Sequence, residues 1–375
     1  MKENPLLKLE HLGQSIWMDF IRRGMISSGE LKQLIDEDGL RGVTSNPSIF
    51  EKAITGGNDY DDAIRALALE GKDVDHIYSA LTVEDIQGVA DLFRPVYDRL
   101  DGGDGFVSLE VSPRLAHNTE GTIADARRLW GAVARPNAMI KVPGTIEGLP
   151  AIQQLIGEGI NVNVTLLFGL PRYRQVAEAY IAGLETLAAQ DKPLKSVASV
   201  ASFFLSRIDT LLDPTLEKMM AVDKSKSDFV KKTHGQVAIS SAKAAYRIFK
   251  EIFGSERFRK LKLQGARIQR LLWASTSTKN PAYSDLKYVE PLIGPDTINT
   301  VPLETLAAYR DHGKPASRLS RGGAKAAETL RRLSKAGIDL DKATRQLEEE
   351  GIEKFSKAFD GLLYSLEEKR VAAIR

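Results

Sequence analysis

The 375-residue chain has no cysteine, which excludes disulfides, thiolate metal sites and a cysteine nucleophile. It has no uninterrupted apolar run long enough to cross a bilayer. Its first ten residues, MKENPLLKLE, lack the apolar segment of a secretion signal. Neither sign of charge dominates, since 52 Lys and Arg against 50 Asp and Glu leave a formal net charge of +2. That balance gives no support for nucleic-acid or membrane-surface binding. The five histidines are scattered, and no two form a metal-ligand pair at helical spacing. What is present, 43% hydrophobic and 27% charged residues, suits a globular protein with a sizeable core and a cytoplasmic address.

Short apolar runs alternate with helical segments along the chain. Runs at Ser15–Asp19, Gly42–Pro47, Phe106–Val111, Ala138–Val142, Ile160–Leu166, Ser196–Ser202, Arg270–Ser275 and Thr297–Val301 read as eight strands. This rhythm predicts an α/β fold, a single-domain (β/α)8 TIM barrel spanning 1–375. Helical insertions follow the second and sixth strands, and the helices of 303–375 form a C-terminal extension docked on the barrel. Ile352, Phe355, Phe359, Leu362, Leu363 and Leu366 make one apolar stripe, as a docked helix requires.

Lys141 stands near the C-terminal end of an apolar strand that Pro143-Gly144 stops. Burial there disfavours an ammonium, so its pKa is expected to fall, freeing the amine for Schiff-base chemistry. Taken alone, such a lysine is explained as well by snorkelling or a carboxylate partner. Strand parity adds the deciding context. Side chains alternate faces, and the face carrying Asp19, Asn46, Glu110, Lys141, Asn163 with Thr165, and a serine of the sixth strand is polar at each C-terminal end. The opposite face is Ile, Val and Leu. Six polar inward ends are costly unless they line a wet cavity, and barrel active sites sit at that pole.

Other signals have plain readings. Asp101-Gly-Gly-Asp-Gly105 lacks the ligands of a calcium loop and reads as a turn. Asp59 to Asp62 is an acidic helix start, and Ser320-Arg-Gly-Gly323 is a solvated one without Walker or dinucleotide spacing.

GVTSNPSIF at 42–50, SLEVSP at 108–113, MIKVPGTIEG at 139–148, INVNVTLLFG at 160–169, SFFLSR at 202–207 and WASTSTKN at 273–280 resemble the transaldolase family in its longer bacterial form. The resemblance implies a cofactor-free and metal-free transferase of the non-oxidative pentose phosphate pathway. Such an enzyme moves a dihydroxyacetone unit, through a lysine Schiff base, between sedoheptulose 7-phosphate/glyceraldehyde 3-phosphate and erythrose 4-phosphate/fructose 6-phosphate. Its partners would be small-molecule sugar phosphates, not nucleic acid or membrane, and it would be a monomer or homodimer.

Carried over by position, Lys141 would form the Schiff base. Glu110 and Thr165 would hold a water, and Asp19 would act as acid and base on the C4 hydroxyl. Asn46 and Asn163 would bind the dihydroxyacetone hydroxyls, with Thr44 and Phe204 also at the substrate. Ser202 and Arg207 would take the phosphate. Lys279 stands where many relatives have an arginine, and it lacks the bidentate fork. The alternatives are a fructose 6-phosphate aldolase releasing free dihydroxyacetone, and a silent phosphosugar-binding barrel. Relatives resembling that aldolase tend to carry tyrosine at the place of Phe204 and glutamine at that of Glu110.

Overall fold

Eight strands close on one another in a computed structural model that describes residues 4–374. They are β1 (Gln14–Met18), β2 (Gly42–Thr44), β3 (Phe106–Glu110), β4 (Ala138–Pro143), β5 (Val162–Leu167), β6 (Ser199–Phe204), β7 (Arg270–Ala274) and β8 (Thr297–Val301). Each pairs in parallel with the next, and β8 returns to β1. Helices lie between the strands, so the predicted (β/α)8 barrel is the fold observed.

β1 begins one residue earlier than the sequence reading, at Gln14, and two strands begin later, each for a local reason. Ile160 N–H donates to Leu155 O and finishes the preceding helix, so β5 begins at Val162. Leu194–Ser196 form a 3-10 turn, which delays β6 to Ser199.

The barrel's N-terminal pole is closed by a buried ion pair. Asp104 accepts from Trp17 Nε1 at 2.8 Å and Arg270 Nη1 at 3.0 Å, and from the Ser15 hydroxyl. The turn of 101–105 therefore does more than reverse the chain. Gly105 has φ +85°, and a Cβ there would meet Tyr97 N at 2.6 Å, so the residue that aims Asp104 inward must be glycine.

At the opposite pole the last strand residues are polar and the helices start. Asn46 caps the helix Pro47–Thr55, its Oδ1 accepting from Ile49 N at 3.1 Å, with Pro47 at the first helical position. Arg207 stands in the first turn of Ser206–Val222, whose start is tied to β7 by Ser206 N–H donating to Ser275 O at 3.0 Å.

The helix Leu340–Ala373 crosses this pole, packing on Pro47–Thr55 and on Ser206–Val222. Leu347, Ile352, Phe355, Leu362 and Leu366 join the same apolar core as the barrel strands. Gly351 sits at the tightest approach. A Cβ added there would stand 2.9 Å from Leu166 and 3.7 Å from Arg207 Nη1, so the absent side chain lets the helix settle onto the end of β5. Leu166 itself has φ +59°, and the β5–β6 register shifts between Val164 and Leu167, which makes a bulge at the rim.

Candidate active site

Lys141 is 3% exposed, on β4 between β3 and β5. Its Nζ donates to the carbonyl of Ser45 at 3.0 Å and lies 3.1 Å from Glu110 Oε2. The register puts Glu110 directly beside it, at the end of β3. Burial pushes the Glu110 carboxyl up, while the charge of Lys141 opposes the shift. Apart from this contact with Lys141, neither Glu110 oxygen has a partner among the described residues, and buried Thr165 Oγ1 on β5 has none. These acceptors are left for water or substrate.

Asp19 follows β1, its backbone N–H held by Val301 O at 2.8 Å. Its Oδ1 accepts from Thr44 Oγ1 at 2.6 Å, and that hydroxyl lies 2.8 Å from Thr300 Oγ1. Burial raises the Asp19 carboxyl, and the Lys141 charge and the Thr44 hydrogen bond pull back. Two carboxyls thus flank one amine. Both are pushed toward the neutral acid, through different partners.

A chain of amides and hydroxyls runs along the floor. Asn163 Nδ2 donates to Ser108 Oγ at 2.9 Å, and Ser202 Oγ donates to Asn163 Oδ1 at 2.7 Å. The buried Ser202 hydroxyl thus fixes the Asn163 amide, and Ser202 also lines the cavity that Arg207 lines. Asn46 has its oxygen committed to the helix cap, which leaves its NH2 group available.

A cavity of about 720 Å³ opens above Lys141. Asp19, Thr44, Asn46, Ser202, Phe204, Arg207 and Lys279 all line it. Phe204 packs tilted on Phe168, with ring centroids 5.1 Å apart, and stands 6.0 Å from the Arg207 guanidinium carbon. Lys279 lies on the loop after β7, where Tyr283 OH binds Asp213 at 2.6 Å and Thr278 donates to Ser284 O.

The geometry also meets the comparisons with known proteins. A family model described as transaldolase/fructose-6-phosphate aldolase matches residues 16–366. The chain belongs to this family. It is 48% identical to a protein named transaldolase from Trichodesmium erythraeum, over 98% of both chains. To transaldolase 2 of Nostoc punctiforme it is 47% identical over 98% of both, and to the transaldolase of Mycolicibacterium smegmatis 46% over 97% of both.

Within this transaldolase-type barrel, three contacts escaped the sequence reading. Ser45 contributes through its carbonyl, and backbone groups leave no mark on residue patterns. Phe355 of the C-terminal helix lies with its ring centroid 5.8 Å from Lys141 Nζ, so it roofs the amine. Lys354 beside it lines the same cavity. The signal available for both was Gly351 within an amphipathic helix, but a docking stripe does not name its dock. Among the described residues, no three of His, Asp or Glu converge as a metal site.

Proposed function

We propose that the protein transfers a dihydroxyacetone unit between sugar phosphates through a Schiff base on Lys141. The observation that carries the reading is Lys141 itself, buried between Ser45 O and Glu110 at the base of a cavity that Asp19 also lines. In this scheme the amine attacks C2 of a ketose phosphate. Glu110, raised by burial, delivers the proton with which the carbinolamine oxygen leaves as water. Thr165 and Glu110 hold that water for the later hydrolysis. Asp19 takes the C4 hydroxyl proton, the C3–C4 pair flows into the iminium, and the aldose phosphate departs. The enamine then attacks the incoming aldehyde, and the steps reverse. Asn46 and Asn163 suit the dihydroxyacetone hydroxyls, because amides donate and accept without adding charge. Arg207 and Lys279 supply cations for the phosphate.

The same reading makes the chain one domain, with 303–375 docked on the barrel, which the shared core supports. It also makes the protein a cytoplasmic enzyme, monomer or homodimer. Among the described residues no helix is long and apolar enough to cross a membrane.

Transfer, rather than release of dihydroxyacetone, follows from what surrounds the enamine. Release needs a proton delivered to C3, and Phe204 and Phe355, which line the cavity, have none to give. Fructose 6-phosphate alone should therefore yield little glyceraldehyde 3-phosphate, while addition of erythrose 4-phosphate should start rapid exchange. Phe204→Tyr should shift the partition toward free dihydroxyacetone, because a phenol donates or orients water. If the wild type releases glyceraldehyde 3-phosphate as fast as it transfers, the aldolase reading replaces this one.

The acid limb of donor cleavage should also report on Asp19. That carboxyl must be ionised to act as base, and burial places its pKa above the ordinary value of 3.8. Thr44→Val removes a hydrogen bond that favours the charged form, so the limb should move to higher pH. The check is kcat/KM for fructose 6-phosphate against pH. A limb that stays put would remove Asp19 from that step.

A further inference from the structure

Positive charge gathers in the cavity's lining. Lys52 comes from the helix after β2, Arg207 from the helix after β6, Lys279 from the loop after β7, and Lys354 from the C-terminal helix. Among the described residues, no ion pair joins Lys52, Arg207 or Lys354 to a carboxylate, and the Lys279 ammonium contacts the Ser277 hydroxyl at 2.6 Å. The cations press on one another. The Lys354 ammonium is pushed down first by Arg207, then by burial, then by Lys279 and Lys52. Lys357, three residues on, lines the same cavity but is paired with Glu353 at 2.6 Å.

Glu51 and Glu304 also line the cavity and Glu350 acts on Arg207 from a distance, but without an ion pair the clustered cations still cost stability, because like charges disfavour one another's ionised forms at short range. Such a cluster is retained where an anion of matching charge enters it. A sugar phosphate carries such a charge at the end remote from its reacting carbonyl. Gly351, three residues before Lys354, is where the C-terminal helix comes down beside Arg207.

We propose that Lys354 binds the substrate phosphate, as the C-terminal helix's contribution to a site shared with Arg207 and Lys279. This rests on the sugar-phosphate reading above and extends it to a segment beyond the barrel strands. A phosphate contact made equally in ground and transition states changes KM more than kcat. Loss of one charge-assisted contact corresponds to roughly ten-fold or more in affinity.

The test compares Lys354→Ala and Lys354→Arg with the wild type, both substitutions being compatible with a helix. Lys354→Ala should raise KM for fructose 6-phosphate about ten-fold with kcat little changed. It should weaken inhibition by inorganic phosphate in proportion, and Lys354→Arg should restore both. Reductive trapping of free dihydroxyacetone on Lys141 should be unaffected, since that molecule has no phosphate. Unchanged KM and phosphate inhibition would overturn the proposal. So would an equal fall in trapping, which would make Lys354 a support for the roof. If the wild type neither transfers nor traps, the transferase reading has failed. Calorimetric titration of wild type and Lys354→Ala with inorganic phosphate still decides the phosphate site.

Discussion

Lys141→Met should abolish transfer, by roughly 10⁴-fold or more, because removing a covalent catalyst leaves only binding to act. Methionine fills much the same volume, so the core stays occupied. Glu110 loses its cation in the variant, but burial already pushes that carboxyl toward its neutral form. The protein should therefore fold, and the loss should be one of chemistry. Borohydride reduction with fructose 6-phosphate, followed by peptide mapping, should place one dihydroxyacetone adduct on wild-type Lys141 and none on the variant. An adduct on another lysine, or turnover surviving in Lys141→Met, would sink the assignment.

The second large effect belongs to Asp19→Asn. The amide keeps the shape and the acceptor for Thr44 Oγ1 but cannot take the C4 proton. A fall in kcat of about 10² to 10⁴ is expected, while dihydroxyacetone is still trapped on Lys141. Stability should move the other way. The folded pKa of Asp19 is raised, so its contribution is complete below its unfolded value and is lost as pH rises through the folded one. At neutral pH the wild type carries that loss and the asparagine does not. The variant's Tm at pH 7 should therefore equal or exceed that of the wild type. A kcat near wild type would remove Asp19 from proton transfer, and a lower Tm would mean its charge is a net gain to the fold.

Much of this architecture could be read from residues because a barrel has only two strand faces. Alternation alone separated Val107 and Leu109 from Ser108 and Glu110, and the closed sheet keeps that division. The C-terminal position of Asp19, Glu110 and Lys141 followed from where each apolar run stops. Departures from repetition were less legible. Nothing about leucine announces the left-handed backbone of Leu166, which stands against Gly351 of the C-terminal helix. The hydrogen bond from the Ser202 hydroxyl to the Asn163 amide has no mark in either residue's identity, because it depends on the register of β5 against β6. The stripe from Ile352 to Leu366 required a partner surface, and several faces of the barrel would have satisfied it.

The placement of that helix has a consequence in the order of synthesis. The strand that closes the barrel, β8, ends at Val301, so its pairing with β1 and β7 can form while Leu340–Ala373 is still to be made. A nascent chain at that stage holds Lys141 beside Glu110 and Asp19, without Phe355 above the amine or Lys354 at the rim. The cover over the amine and one of the pocket's cations are thus supplied by a segment made after all eight barrel strands.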